Sequence, residues 1–456
     1  MDSVDRSEQE NAEIVLSKKS GEEAPHDPYE ALRFPDFRLL AIARFIATLG
    51  EQMVSFAIGW HLYDLTHSTL ALGLVGLVQV APIVLLSLPA GHIADRYERR
   101  RVILIFQLLL SISSLGLAVL SYTHGTLVLI YGCLLLIGIG RAFTNPAAAA
   151  LVSQTVPVSS FSNAATWNST SWQLAAVMGP ALGGVIVAWR QSATLVYALN
   201  VCAGLIAFGM ILMIRSRQAK RARETTSFKS LAAGVGFVWR TKIILAAITL
   251  DMFAVLLGGA TALLPAFAKD ILLVDAGGLG LLRAAPSAGA VLMAFLIAHL
   301  PPFKHAGRAL LLAVSGFGVA TIIFGLSTSF VLSLLMLFLL GAFDNISVVI
   351  RGTLLLVRTP DEMRGRISAV NSVFLGASNE LGEFESGTAA DLLGRVFGPL
   401  AGTALAVVGG GIGTLIVVAA VAIIWPELRL MGSLNETVPI DGEASQGAEA
   451  VPSAAS

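Results

Sequence analysis

The chain has 456 residues, of which 55% are hydrophobic and 13% charged, and its mean hydropathy is +0.77. This composition excludes an ordinary soluble globular protein and indicates a polytopic membrane protein. The net charge is zero and no basic patch is interleaved with aromatic residues, which argues against a nucleic-acid partner. Cys133 and Cys202 both lie in apolar runs, so we expect neither a disulfide framework nor a metal site.

Apolar runs of about twenty residues, the length that an α-helix needs to cross a bilayer, recur along the chain. Charged residues, prolines and glycines divide them into twelve predicted spans, which gives an all-α membrane protein. The predicted spans are 38–64, 68–90, 102–122, 126–150, 164–188, 193–214, 243–267, 278–299, 308–327, 330–351, 367–392 and 400–425.

The lysines and arginines of the loops predict the orientation, because cytoplasmic loops carry an excess of both. They concentrate in the loops at 91–101, 215–242, 300–308 and 352–366. The alternate loops offer little beyond Arg190, Lys269 and Arg395. The even number of spans then places both termini in the cytoplasm. The polar, acidic start of the chain predicts no cleavable signal peptide.

The loop at 215–242 is the longest and most basic, and it separates six spans from six. Its later part has apolar residues on one helical face, at Phe228, Leu231, Val235, Val238 and Trp239, which predicts a helix in the headgroup layer. We therefore expect a disordered cytoplasmic N-terminal tail (1–34), an N-terminal six-helix bundle (35–214), a basic linker (215–242), a C-terminal six-helix bundle (243–428) and a disordered C-terminal tail (429–456).

The two halves repeat each other at an offset of about 203 residues. The matching residues are Gly138 and Gly341, Pro157 and Pro360, Asn168-Ser169 and Asn371-Ser372, Gly179 and Gly382, and Gly184 and Gly387. Such a parallel repeat predicts two bundles related by a pseudo-two-fold axis, and transport by alternating access between them.

A short charged stretch, 91–101, lies between the second and third predicted spans, and we expect a tight turn there. Its pattern Gly91-x-x-x-Asp95-Arg96-x-x-Arg99-Arg100 resembles motif A of the major facilitator superfamily, although Glu98 replaces the usual glycine. A generic positive-inside loop would explain the arginines but not the spacing from glycine to aspartate.

The resemblance implies that Asp95 latches the halves by facing the positive end of helix 11, and that Gly91 lets helix 2 approach a neighbour closely. Arg141, which we expect at the cytoplasmic end of helix 4, is a second candidate partner for Asp95. A membrane anchor that extends to the interface is an equally good reading of Arg141.

The stretch Gly179-Pro180-Ala181-Leu182-Gly183-Gly184 resembles motif C, which marks antiporters in the superfamily and implies export. The functional candidates within it are Gly179, Pro180, Gly183 and Gly184. Physically, its small residues let helices touch and its proline bends the helix, so close packing without any bearing on direction is the alternative.

Five acidic residues are predicted to lie inside the membrane, where each is costly unless it faces water or a partner: Glu51, Asp251, Asp344, Glu380 and Glu383. Glu380 and Glu383 share a helix face, where like charges favour a proton on one of them. We expect Glu51 and Glu380 to be the main proton carriers. The alternative is burial as ion pairs with Arg44, Arg283 or Arg351.

Residues 34–428 resemble the bacterial branch of drug and siderophore exporters that includes the enterobactin exporter and related secretion effectors. The residues that carry this likeness are Phe37-Arg38-Leu39-Leu40, Arg44-Phe45, the stretch 361–372 and the stretch 378–387. The resemblance implies a monomer in the bacterial inner membrane that exports a small organic or amphiphilic molecule in exchange for protons.

No Gly-x-x-x-x-Gly-Lys loop is present, so the sequence predicts neither an ATP-driven pump nor an enzyme, and it calls for no cofactor. Two further hypotheses stay open. The first is an uptake porter of the same fold, which the motif C resemblance disfavours. The second is a membrane receptor or scaffold that does not transport, which would leave five buried acids without a pathway.

Overall fold

The computed structural model describes residues 27–215, 235–301 and 303–432. Twelve long helices make up most of this part of the chain, as predicted, and it contains no strand. They are α1 (Pro35–Thr66), α2 (Thr69–Arg96), α3 (Arg99–Thr123), α4 (Leu127–Thr155), α5 (Phe161–Arg190), α6 (Thr194–Met213), α7 (Lys242–Leu257), α8 (Ala276–His299), α9 (Ala306–Leu326), α10 (Phe330–Arg358), α11 (Asp361–Phe397) and α12 (Pro399–Ile424). A short helix, α13 (Pro426–Leu430), follows α12.

Eleven of the long helical segments in the described residues are long and apolar enough to cross a membrane. The twelfth, α11, is the longest of the helices, but Glu380, Glu383 and Glu385 interrupt its apolar character. Charge at this depth requires protein or water around it, so the face of α11 that carries these acids must be turned away from lipid.

Two predicted boundaries are corrected by the structure. The charged stretch 91–101 is not a turn over its whole length, because α2 continues to Arg96, α3 begins at Arg99, and only Tyr97 and Glu98 separate them. Charged side chains are solvated in the headgroup layer, so charge alone does not require a membrane helix to end.

The predicted span 243–267 is not one regular helix. α7 ends at Leu257, and after Gly258 and Gly259 the chain continues as short helical turns to Ile271. Two consecutive glycines weaken a helix, and the carbonyl of Gly382 on α11 lies against Gly259 at this point.

The six helices α1–α6 form one half and α7–α12 the other, and the halves meet mainly through α2 with α11 and α5 with α8. Equivalent glycines make equivalent contacts. Gly138 on α4 packs against Gln79 of α2, and Gly341 on α10 packs against Pro286 of α8. Small residues at matching positions let the backbones of both halves approach in the same way, which confirms the predicted pseudo-symmetry.

We call the side with the α2–α3 turn and the α6–α7 connection the linker face, and the side with the α1–α2 and α7–α8 connections the far face. Towards the far face one apolar cluster joins both halves, through residues such as Phe56 and Phe267. Towards the linker face each half has its own cluster, around Phe143 in the first and Leu310 in the second. The structure is therefore closed at the far face and open between the halves at the linker face.

Both predicted tails are partly ordered. Residues 27–34, assigned to the N-terminal tail, contact α5, where the Trp167 ring nitrogen donates to the Pro28 carbonyl (3.0 Å) and Asn163 accepts from the Ala31 amide (3.1 Å). In the predicted C-terminal tail, Met431 is buried and the Gly432 carbonyl accepts from Ala306 (3.1 Å). Apolar residues at each end account for this packing. Residues 1–26 and 433–456 lie outside the described part.

The predicted headgroup-layer helix over 228–239 falls partly outside the described residues, which resume at 235. Residues 235–240 are helical. Val238 is buried beside Ile244 and Ile367, whereas Trp239 is exposed. One face of the helix at 235–240 therefore packs against the second half of the protein, and the opposite face is exposed.

Candidate functional site

A line of polar side chains follows one face of α1 from the linker side to the middle of the protein. Arg44, Thr48, Glu51 and Ser55 are spaced by four, three and four residues, which places them on the same helical face. Arg44 and Thr48 line one cavity, and Ser55 lines another at the centre of the molecule. Glu51 lies between the two cavities.

Arg141 joins this line from α4. Its Nε atom lies 3.5 Å from a carboxylate oxygen of Glu51, and its Nη1 atom donates to the side-chain oxygen of Gln79 on α2 (2.8 Å). The predicted place of Arg141 at the end of helix 4 is wrong, because α4 continues to Thr155 and Arg141 lies near its middle. Its observed partners are central, and neither of the readings from sequence describes them.

Glu380 and Glu383 on α11 face the same central cavity. The guanidinium of Arg283, on α8, interacts electrostatically with both carboxylates and donates to the Ser55 hydroxyl across the two halves (3.0 Å). Gly76 on α2 allows the approach of α11, since a methyl group there would lie 2.6 Å from the Glu380 carbonyl oxygen. The two acids thus sit where the halves meet.

The central cavity has a volume of about 60 Å³. A water needs roughly 10–15 Å³ on this measure, whereas pockets for drug-sized molecules occupy about 300–1,000 Å³. The cavity therefore accommodates a few waters and is too small for an organic substrate in this conformation. Its position between several ionisable groups suits the movement of protons.

The charges at the cavity balance when every group is ionised. Glu380 and Glu383 line it together with Arg141 and Arg283, while Glu51, outside the lining, pairs with Arg141 and lies in the field of Arg44. Since arginine stays protonated in proteins, the adjustable charge is on the acids. A single proton on one carboxylate would therefore change the net charge of this central group and weaken the hold of that acid on its arginine.

The other two predicted acids lie elsewhere. Asp251 on α7 is buried and paired with Arg351 of α10, which is one of the ion-pair alternatives that the sequence left open. Asp344 lines a neighbouring cavity of about 10 Å³, together with Asp251 and Ser347. That volume holds at most about one water. The structure thus separates these two acids from the central group.

The motif A arginines bind backbone within the first half. Arg99 donates to the Ala150 carbonyl on α4 (2.9 Å), and Arg100 donates to the carbonyls of Ile211 and Leu212 at the end of α6. The Arg100 bonds satisfy carbonyls in the last turn of α6, where intrahelical donors are lacking. Arg96 is exposed.

The expected close approach at Gly91 is wrong for this conformation, because a methyl group there would meet nothing within 4 Å. The halves are apart at the linker face, so α2 has no neighbour at this position. The side chain of Asp95 lies outside the described part of the structure, and so do those of Arg364 and Arg366 in the first two turns of α11.

The motif C residues lie against α1 and against the other half. A methyl group on Gly184 would be 2.6 Å from the Ala276 carbonyl oxygen of α8, and one on Gly183 would be 3.0 Å from the Phe56 ring. Gly179 faces Gln52, and the Pro180 carbonyl packs against Gly280. These small residues form a close contact between the halves near the far face.

Polar contacts that the sequence did not reveal close the far face. The Tyr63 hydroxyl, near the end of α1, donates to the Asp270 carboxylate in the α7–α8 connection. Lys269 pairs with Asp64 and lies 4.0 Å above the Trp60 ring. All of these contacts join one half to the other, so they exist only while the far face is closed.

Gln79 and Ser55 were also missed as members of the central group, and Arg283 was considered only as an ion-pair partner. One signal was available for each of them: a lone polar side chain inside an otherwise apolar span. No group of three potential metal ligands occurs in the described residues.

Comparison with known proteins supports this assignment of the fold. The family model described as "Transmembrane secretion effector" matches residues 26–431. The chain belongs to this family of major facilitator transporters. It is a membrane transporter and not an enzyme. Enterobactin exporter EntS from Escherichia coli O1:K1 / APEC is 26% identical over 405 residues, covering 87% of this chain and 93% of the relative. EntS from Shigella boydii serotype 18 matches with the same identity and coverage.

Solved transporters share the fold of this secretion effector. A bacterial homologue of the human lysosomal transporter Spinster, in an inward-facing and unoccupied conformation, aligns with a TM-score of 0.67 at 15% identity, covering 87% of this chain and 97% of the other. A POT family transporter in complex with 5-aminolevulinic acid aligns with a TM-score of 0.65 at 14% identity, covering 86% and 96%. At these identities the likeness establishes the architecture alone.

Proposed function

We propose that this secretion effector exports a small organic or amphiphilic molecule, of drug or siderophore type, in exchange for protons and by alternating access. The relatives that export enterobactin support the direction and the substrate type. The observation that carries the proton coupling is the pair of Glu380 and Glu383 at a water-sized cavity between the halves, with Glu51 linked to that cavity through Arg141.

In this proposal the three acids carry the proton and the arginines respond to it. Protonation of Glu383 or Glu380 weakens their hold on Arg283, whose bond to Ser55 crosses between the halves. The halves are then freer to separate at the far face. Asp251 is assigned a structural role in its pair with Arg351, and Asp344 a secondary one, because water has little access to either.

The proposal places the linker face in the cytoplasm of a bacterial inner membrane, with both termini on that side and a monomer as the working unit. The bundles 35–214 and 243–428 rock about the central group. A cysteine at Gly125 should react with an impermeant maleimide from outside the cell, and cysteines at Gly21 and Ser445 only after the membrane is opened. Reaction of the Gly125 cysteine only from the cytoplasmic side would invert the orientation.

Motif A has its part in the opposite conformation, with the linker face closed. We assign Asp95 to the start of helix 11 in that state, where a carboxylate is favoured by the positive helix end. Asp95→Asn should then lower transport at near-normal expression. Normal transport by Asp95→Asn together with loss in Arg99→Ala would make the stretch a structural charge cluster only.

Inverted membrane vesicles test export and coupling together. Vesicles acidified by ATP hydrolysis are given siderophores and toxic amphiphiles in turn, and both compound uptake and the internal pH are followed. A substrate should accumulate and raise the internal pH. Glu51→Gln and Glu380→Gln should abolish both responses, and Glu385→Gln, on the same helix but bonded to Ser386, should not. Accumulation without a pH change in the wild type would refute proton coupling.

A further inference from the structure

A second cavity lies between α1 and α5, on the linker side of the central group. Its volume is about 270 Å³, several times that of the central cavity. It is lined by Arg44, Phe45 and Thr48 from α1, and by Asn168, Ser169, Ser171 and Trp172 from α5. This volume is close to the lower limit of pockets that hold small organic ligands.

The lining combines one cation, two aromatic rings and several hydrogen-bonding groups. Arg44 feels the field of Glu51, but in the described residues it makes neither a hydrogen bond nor an ion pair. An arginine within a membrane span ordinarily has a partner, because an unpaired charge there is costly. The cavity leaves its guanidinium available to an anion from outside the chain.

Anchoring at the membrane surface does not explain Arg44. Arg38 occupies the first turns of α1 and is exposed, as an anchor would be. Arg44 lies six residues deeper, about 9 Å along the helix, and lines the cavity. Trp172 is 56% exposed, so its indole also presents a free face.

Packing symmetry does not explain the cavity either. At the repeat offset of about 203 residues, the counterpart of Arg44 in the second half is Ala247, and the counterpart of Trp172 is Leu375. Asn168-Ser169 does have its counterpart, Asn371-Ser372. The fold therefore needs the amide and hydroxyl at this level but not the cation or the indole. The additional pair serves something that only the first half binds.

We propose that this cavity, which we call the α1–α5 pocket, binds the acidic aromatic part of the exported substrate, with the carboxylate or phenolate on Arg44 and the ring against Trp172 and Phe45. Arginine presents a planar fork that matches a carboxylate, and its hydrogen bonds to an anion are charge-assisted. Thr48, Ser169 and Ser171 can donate further bonds to the same oxygens.

The position and the charge fit the direction of transport. The pocket lies on the linker side, where the halves are apart, so a molecule can enter from there. An anion that leaves the cell and a proton that enters both move positive charge inward, and an interior-negative membrane potential favours each movement. This inference rests on the proposed export function for its physiological meaning, whereas binding itself is measured without transport.

The test uses the full chain in nanodiscs and two matched probes, 1-naphthoate and its neutral analogue 1-naphthamide. Calorimetric titration should show 1-naphthoate binding at least tenfold more tightly than 1-naphthamide. Arg44→Gln should weaken 1-naphthoate binding at least tenfold, Arg44→Lys less, and Trp172→Leu severalfold. Arg38→Gln, with the same change six residues away on the exposed start of α1, should bind like the wild type. Retention of helical circular dichroism excludes misfolding of any variant.

A second measurement locates the probe. With Cys133 and Cys202 replaced by serine, a cysteine introduced as Ser171→Cys should react more slowly with N-ethylmaleimide when 1-naphthoate is present, and at an unchanged rate with 1-naphthamide. The proposal is overturned if the wild type does not bind 1-naphthoate, if Arg44→Gln binds it normally, or if bound 1-naphthoate leaves the cysteine unprotected. Failure of the vesicle pH assay with intact binding would refute the proton coupling alone.

Discussion

The contacts across the far face should set how much of the time this transporter is closed there, and Asp270→Ala tests them. The Asp270 carboxylate accepts a hydrogen bond from the hydroxyl of Tyr63, a residue that is only 3% exposed. Water therefore cannot replace this hydrogen bond when the carboxylate is removed. A hydrogen bond to a charged group contributes about 1.5–3 kcal/mol. Taking about 2 kcal/mol, the ratio of open to closed far face should rise roughly 30-fold, since about 1.4 kcal/mol is a factor of ten.

Lys269→Met should have a smaller effect, because Asp64 is 60% exposed and an exposed pair contributes only about 0.2–1 kcal/mol. The contact of Lys269 with the Trp60 ring adds about 0.5–1 kcal/mol. Together these predict a shift of roughly three- to thirtyfold, at or below that of Asp270→Ala.

Double electron–electron resonance between spin labels at Thr123, the last residue of α3, and Thr328, in the α9–α10 connection, reports the population that is open at the far face. Asp391→Ala is the matched control, since Asp391 pairs with Arg395 on its own helix (2.8 Å) and has no ion pair across the halves within the described part of the chain. The reasoning fails if Asp270→Ala gives the wild-type distance distribution, or if Asp391→Ala shifts it as much.

Three further predictions follow from the packing. Gly184→Val should lengthen the same spin-label distance, because even a methyl group would lie 2.6 Å from a carbonyl of the other half, whereas Gly91→Val, with nothing within 4 Å, should not. Asp251→Asn should lower the free energy of unfolding by about 3–5 kcal/mol, since it leaves the buried charge of Arg351 without a partner. The double variant with Arg351→Met should regain most of this stability. An unchanged thermal midpoint in the single variant would contradict the prediction. Arg100→Gln should cost about 1 kcal/mol by removing donors from the end of α6, measured as a lower thermal midpoint, and no decrease would mean that solvent replaces them.

The sequence by itself determined the architecture. Eleven of the spans in the described residues are runs of apolar residues of bilayer length, and long helices lie where these runs are, whereas α11 has a weaker apolar pattern. The repeat offset could also be predicted from the sequence, because a close helix contact needs a small residue at the same position in each half. Gly179 against Gln52 and Gly382 against Val255 are such a pair of contacts at the same offset.

Which charges meet was decided only by the tertiary structure. Glu51 and Arg141 are on different helices far apart in the chain, and their pairing depends on the rotation and depth at which α1 and α4 pack. Arg141 was misplaced because the end of a membrane helix is set by where its neighbours and the headgroups stop, and not by its own apolar run. The closed far face had no local signal either, since Tyr63 and Asp270 are ordinary loop-proximal residues until the two halves bring them together.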